Sequence, residues 1–223
     1  MTEAKWLTCN DPQPMLVFLR GQASERKLRL FEVACCRSIW HLLTDERSRR
    51  LVEVAEQYAD GHPKPPGPLE SAAMEAVSRF PTQSALFAAA RTAVMTIWDY
   101  SPDSLHYMNS SYPPMVRDAL AVAGNTAEAV PSEPPVQAAL LRDIFGNPFR
   151  PISLDSAWLS WNDATIPRLA QAVYNDRAFD RLPILADALE QAGCEDADIL
   201  AHCRSDGPHV KGCWAMDLIL RRQ

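Results

Sequence analysis

Hydrophobic residues recur at intervals of three and four along most of the chain, which is the period of a helix that buries one face. The clearest case is residues 25–43, where two adjacent apolar stripes predict a central helix that is nearly enveloped by its neighbours. The first stripe consists of Leu28, Phe31, Ala34, Cys35, Ile39 and Leu42. No segment has the sustained alternation of apolar and polar residues that a half-buried strand requires. The pattern therefore predicts an all-α fold.

Short polar side chains predict where the first helices begin, because they can accept hydrogen bonds from the free N–H groups of a first helical turn. The predicted N-caps are Asp11, followed by Pro12, then Ser24, and then Thr44. Further helices are expected at 69–79, 82–98, 115–123 and 135–145, then at about 166–174, 182–189, 196–204 and 212–221. Between 145 and 166 the sequence predicts an irregular, aromatic-rich stretch.

Proline-rich segments divide these helices. Residues 61–68 contain four prolines, and residues 130–135 form a second break. Residues 99–114 are rich in Ser, Pro, Asn and Tyr and are predicted to form a loop. We expect one helical domain over residues 1–223, packed as an irregular multi-helix bundle because no apolar heptad persists. The alternative is two helical subdomains, with divisions at 1–61, 62–134 and 135–223.

Charge and hydropathy exclude some classes of function. The 28 acidic and 22 basic residues give a formal net charge of −6, and no long basic stripe offers a surface for duplex nucleic acid. No apolar run approaches the roughly 20 residues of a membrane span. The N-terminus lacks the features of a secretory signal. We therefore expect a soluble, cytoplasmic protein with reduced cysteines, no nucleic-acid partner and no membrane association.

Both ends of the chain resemble a family of uncharacterised proteins that occurs in many copies in planctomycete bacteria. The N-terminal residues that carry the resemblance run from Asp11 to Gly21, from Arg26 to Phe31 and from Ala34 to Arg37. The C-terminal ones run from Leu141 to Pro151, from Asp180 to Leu189, from Ala201 to Arg204 and from Gly207 to Trp214. The resemblance implies a family identity for about two thirds of the chain, but it implies no activity.

The C-terminal region contains a cluster of metal-binding residue types. Five soft or borderline donors lie within 20 residues: Cys194, His202, Cys203, His209 and Cys213. Zinc, or iron, could be held by a ligand set of Cys194, Cys203, His209 and Cys213. The spacing also fits plain packing, since no Cys-x-x-Cys pair is present and cysteine is common in helix contacts.

A thiol enzyme is a third interpretation of the same cluster. Gly212 and Cys213 are predicted to open the last helix, where the helix N-terminus would lower the pKa of the thiol, with His209 as a neighbouring base. The sequence supplies no assigned orienting acid and no oxyanion site for this chemistry. Catalytic roles for Cys213 and His209 are therefore a weaker hypothesis than packing or metal binding.

Aromatic residues after the predicted helix at 135–145 have two interpretations as well. Phe145, Phe149, Trp158 and Trp161 could line a groove for a partner peptide or helix, or they could fill the junction between helical layers.

The sequence contains no phosphate-binding loop, zinc-protease helix or nucleophile elbow. We expect an intracellular binding or regulatory protein that presents a helical surface to a protein partner; the alternative is a metal-binding protein or thiol enzyme. Substrate, partner identity and oligomeric state do not follow from the sequence.

Overall fold

The computed structural model describes residues 1–63, 67–81, 84–96 and 114–222. Within these ranges the secondary structure is α-helix with two short 3-10 turns and no strand, which confirms the all-α prediction. The chain divides into two compact units, Met1–Leu141 and Arg142–Gln223. The predicted loop at 99–114 lies outside the described residues, apart from Pro114, which begins a helix.

Unit 1 holds seven described helices and most of an eighth. They are α1 (Glu3–Thr8), α2 (Pro12–Phe18), α3 (Glu25–Ser38), α4 (Glu46–Ala59), α5 (Gly67–Val77), α6 (Ala85–Met95), α7 (Pro114–Ala129) and α8 (Glu133–Phe145), whose last turn belongs to unit 2. Unit 2 continues with α9 (Ser156–Asp176), α10 (Leu182–Gln191), α11 (Ala197–Cys203) and α12 (Trp214–Leu220). Among the described residues, none of the helices combines the length and the hydrophobicity that a membrane crossing demands.

Two of the three predicted N-caps are confirmed. Asp11 accepts a hydrogen bond from the Gln13 N–H at 2.9 Å, and Ser24 accepts one from the Lys27 N–H at 3.4 Å. The prediction of Thr44 is wrong by one residue, since Asp45 caps α4. An ionised carboxylate is favoured there because it gains from the helix dipole as well as from the hydrogen bond.

The predicted bounds of several later elements also need correction. Helix α7 runs to Ala129 rather than to 123, and it includes Thr126, whose hydroxyl donates to the Val122 carbonyl at 3.0 Å. Pro134 and Pro135 belong to the start of α8 rather than to a break, since a first helical turn does not use their missing N–H groups. The stretch predicted as irregular contains the first part of α9, which begins at Ser156.

Helix α3 is the centre of unit 1. Every residue from 28 to 36 is buried, which confirms the prediction of a nearly enveloped helix, and α3 packs against α4, α6 and α7. One apolar cluster of this unit consists of Val33, Cys36, Ile39, Leu43, Leu51, Val52, Ala55, Ala73, Ala89 and Ala93. Alanine on α5 and α6 allows these helices to approach closely.

Unit 1 also buries charged side chains, and these are paired within the unit. Arg37 forms hydrogen-bonded ion-pair contacts with Glu56, from Nε to Oε1 at 3.3 Å and from Nη2 to Oε2 at 3.4 Å. Arg29 donates to the Thr96 carbonyl at 2.7 Å, and its guanidinium lies 4.7 Å from the centre of the Tyr58 ring. The buried carboxylate of Glu56 is thus met by a permanent cation.

The core of unit 2 is built from α9, α10, α11 and α12. Its apolar cluster includes Trp158, Ile166, Tyr174, Leu185, Cys194, Ile199, Cys203, Cys213 and Met216. Trp158 is 9% exposed and Trp161 packs against this cluster, so these two aromatic residues serve the core; Phe149 is 37% exposed. In α9 the residues Asn162, Asp163 and Ala164 have left-handed backbone angles, with φ of 46°, 55° and 59°.

Candidate metal centre

Four side chains from separate parts of unit 2 meet at one point. Asp143 lies in the last turn of α8, His202 near the end of α11, His209 in the loop between α11 and α12, and Cys213 at the N-cap of α12. One potential ligand atom from each lies within 4.8 Å of all the others. His202 lies on α11, and the start of α11 is capped because Asp196 accepts hydrogen bonds from the N–H groups of Asp198 and Ile199.

Three of the distances within the group are close to or shorter than those between the ligands of one zinc ion, and the remaining pairs lie within 4.8 Å. His209 Nδ1 lies 2.9 Å from Asp143 Oδ1, and His202 Nε2 lies 3.1 Å from Cys213 Sγ and 3.4 Å from Asp143 Oδ1. Four ligands at zinc bond lengths of about 2.0–2.3 Å in a tetrahedron stand roughly 3.3–3.8 Å apart. Small outward movements of the side chains would therefore make room for one ion.

The orientation of His202 separates a metal site from a catalytic triad. A triad requires the acid on one ring nitrogen and the nucleophile on the other, so that the acid orients the imidazole while its second nitrogen takes the proton of the nucleophile. Here the same atom, Nε2 of His202, faces both the Cys213 thiol and the Asp143 carboxylate. Side chains that converge on one point in this way are close enough to share one cation.

Hydrogen bonds outside the group fix the orientation of two of its members. The Val210 N–H donates to Asp143 Oδ2 at 3.0 Å, so the other carboxylate oxygen faces the cluster. His209 Nε2 lies 3.1 Å from the Ser205 carbonyl oxygen, which can only accept, so Nε2 carries a hydrogen and Nδ1 faces Asp143. An imidazole that donates its outer N–H to a backbone carbonyl is the usual support of a metal-binding histidine.

The centre is largely shielded from water. The side chains of Asp143 and His209 are 3% and 7% exposed, that of His202 is 16% exposed, and Cys213 is fully buried. Burial acts to raise the pKa of Asp143, but hydrogen bonds from His202 and His209 outweigh it and hold that pKa below its ordinary value. Burial likewise acts to lower the pKa of His209, and Asp143 raises it above its ordinary value. The pocket thus favours positive charge next to Asp143.

The expectation that the start of the last helix lowers the pKa of the Cys213 thiol is wrong. Complete burial and the negative charge of Asp143 raise that pKa well above its ordinary value, and the backbone amides of Met216 and Ala215 offset this only in part. The ring nitrogen within hydrogen-bond distance of Sγ belongs to His202, whereas the sequence suggested His209 as the base. A buried thiol with a raised pKa is a poor nucleophile, although a cation in the same pocket would favour its thiolate form.

The structure places the four sequence-predicted metal ligands in two groups. His209 and Cys213 belong to the converging set. Cys194 and Cys203 lie in the apolar core of unit 2, where burial raises the pKa of both thiols, that of Cys203 to about 12. Within the described part of the chain, the set of His, Cys and acidic residues close enough to share one ion is Asp143, His202, His209 and Cys213.

Asp143 is the member that sequence reasoning missed. It lies 66 residues before His209, and no local spacing connects the two. The sequence contained one signal: Asp143 is an acid among apolar residues, with Leu140 and Leu141 before it and Ile144 after it. In the structure Asp143 is about as buried as these neighbours. A carboxylate at such a position needs a partner, because burying an unpaired charge is costly.

Comparison with models of protein families, with curated proteins and with solved structures finds no match to this chain. The resemblance to the planctomycete family therefore stays an expectation.

Proposed function

We propose that this chain is a metal-binding protein whose unit 2 holds one zinc ion through Asp143, His202, His209 and Cys213. The observation that carries the proposal is the convergence of four ligand atoms from four separate segments within 4.8 Å of one another. The outer hydrogen bonds to Asp143 and His209 support it, because they present one oxygen and one ring nitrogen toward the common point.

The donor set favours zinc over other common cations. Two imidazoles, one thiolate and one carboxylate suit a tetrahedral, borderline-soft ion. Calcium and magnesium prefer six or more oxygen ligands, and this group offers a single carboxylate. Iron, which the sequence also suggested, commonly uses more open positions when it is bound by histidine and carboxylate.

A structural role for the ion is favoured over a catalytic one. Structural zinc sites have four protein ligands, whereas catalytic sites keep a position for water. Asp143 and Cys213 are almost inaccessible to solvent, which leaves little access for a substrate. An ion here would join the end of α8 to α11, its following loop and α12. Such a role is compatible with the partner-binding function expected from the sequence, which stays a prediction.

The experiment is elemental analysis of the chain purified without chelator, followed by titration of the zinc-free protein with Co²⁺. We expect about one zinc per chain, and a cobalt complex with the absorption bands of tetrahedral, thiolate-bound Co²⁺. Zinc at the level of a protein-free blank, together with no cobalt absorption, would refute the proposal.

Matched cysteine variants identify the ligand set. Cys213→Ser and Cys203→Ser make the same change at two positions that are both fully buried in the core of unit 2. We expect Cys213→Ser to lose the thiolate-to-cobalt band and Cys203→Ser to keep it, with circular dichroism confirming that both remain helical. Loss of the band in both variants would favour the ligand set predicted from the sequence, which contains both cysteines, over the one proposed here.

A further inference from the structure

The ring of His202 is packed against two other aromatic rings. The centre of the Trp214 ring lies 4.9 Å from that of His202, with 46° between the planes. The centre of the His209 ring is also 4.9 Å away, at 87°. These two neighbours restrict rotation of the His202 imidazole and thereby set the direction in which Nε2 points.

Trp214 in turn lies directly against the backbone of Gly146. A Cβ atom at position 146 would stand 3.0 Å from Cγ of Trp214, 3.2 Å from Cδ2 and 3.3 Å from Cδ1. Carbon atoms in normal contact are about 3.5–4.0 Å apart. A side chain at residue 146 would therefore press on the indole, which would have to move by a few tenths of an ångström.

The contact between Trp214 and Gly146 joins the same two segments as the proposed ligands Asp143 and Cys213. Gly146 follows the end of α8, three residues after Asp143, and Trp214 follows Cys213 at the start of α12. A shift of the indole would move the His202 ring with it, and productive metal geometry tolerates a displacement of only about 0.5 Å.

We infer that Trp214 and Gly146 are positioning residues for metal binding: Gly146 admits the Trp214 indole, and the indole orients the His202 imidazole toward the ion. The inference rests on the proposed zinc site. Trp214 and Gly146 then do more than pack, because their contact determines the direction in which His202 Nε2 points.

The test compares two glycine substitutions that share their backbone strain. Gly146 and Gly193 both have left-handed φ angles, of 64° and 87°, so alanine is unfavourable at either position. A Cβ atom at Gly193 would meet no atom within 4 Å, whereas at Gly146 it would stand 3.0–3.3 Å from three indole atoms of Trp214, closer than most real Cβ contacts. Gly193→Ala is therefore a control for strain in the same unit.

We expect Gly146→Ala to weaken zinc affinity, measured by competition with a chromophoric chelator, about 10- to 100-fold, as changes next to metal ligands commonly do. It should also alter the d–d bands of the Co²⁺ complex, which report ligand geometry and would be unaffected by a loss of stability alone. Gly193→Ala should retain the affinity and the spectrum of the unsubstituted protein. Trp214→Phe, which keeps an aromatic face against His202, should bind zinc more tightly than Trp214→Ala.

The outcomes separate this inference from the proposed site. If the unsubstituted chain binds zinc and Gly146→Ala matches Gly193→Ala in affinity and cobalt spectrum, the positioning role is refuted and the zinc site stands. If the unsubstituted chain binds neither zinc nor cobalt, the proposed function fails and the inference fails with it.

Discussion

Both units bury a carboxylate, but they neutralise it in different ways. In unit 1, Glu56 is 5% exposed and faces the guanidinium of Arg37 at 3.3 Å. In unit 2, Asp143 is 3% exposed and faces two imidazoles. A guanidinium is always protonated and cannot bind a metal, whereas an imidazole can exchange its proton for one. The first arrangement is a fixed ion pair, and the second is the one that we propose to accept a cation from solution.

The largest expected effect is that a chelator destabilises unit 2 and leaves unit 1 unchanged. Free zinc at 1,000 times its dissociation constant would stabilise the folded state by about 4 kcal/mol. Hydrogen exchange measured with and without chelator should show faster exchange in α11 and α12 after zinc removal, and constant exchange in α3 and α4. Equal changes in both units, or none in either, would contradict the contrast drawn here.

A smaller effect is expected from neutralising each carboxylate with its isosteric amide. Glu56→Gln should lower the free energy of unfolding by about 1.5 kcal/mol, the low end for a charged hydrogen bond because Arg37 is partly exposed, and zinc should not alter this loss. The penalty of Asp143→Asn should grow when zinc is added, because the variant lacks an anionic ligand. Urea unfolding of each variant with zinc and with chelator measures the difference. A zinc-dependent penalty for Glu56→Gln would show that the two sites are coupled.

The smallest effect concerns a third kind of carboxylate, the N-cap Asp45 of unit 1. The hydrogen bond from the Arg47 side chain lowers its pKa to about 2. Because the folded pKa lies below that of the unfolded chain, which is about 3.9, this stabilisation is present above pH 4 and is lost as the pH falls toward 2. Asp45→Asn keeps the cap and removes the ion pair. The difference in urea midpoint between the two proteins should shrink over that interval, with or without zinc, and a constant difference would contradict the assignment.

The helices could be predicted from sequence where local chemistry decides them. Asp11 and Ser24 cap helices through bonds to residues two and three positions away, and α3 carries its apolar pattern on its own surface. Thr44 and Asp45 are both competent caps, so the choice between them depended on the additional contact of Asp45 with Arg47. Local patterns thus predicted most elements and erred at their ends.

The candidate site could be predicted only in part. His209 and Cys213 lie within a few residues of each other, so composition alone indicated them. Cys203 and His202 are neighbours on α11, and periodicity could not tell which of them faces the cluster and which the core. Asp143 could not be found from spacing, because its contacts depend on how residues 142–145, the last turn of α8, pack within unit 2.

The separation of Asp143 from the other ligands has a consequence for the entropy of the unfolded chain. A zinc ion bound to Asp143 and His209 would close a loop of 66 residues, while the remaining ligands, from His202 to Cys213, enclose only 11. By the chain-entropy relation used for disulfide cross-links, closing the longer loop in an unfolded chain would cost about 1.6 kcal/mol more than closing the shorter one, so the folded state is the one that presents the complete ligand set. The ion would then act on this fold as a reversible cross-link, and the single oxygen ligand would determine how much of the chain it restrains.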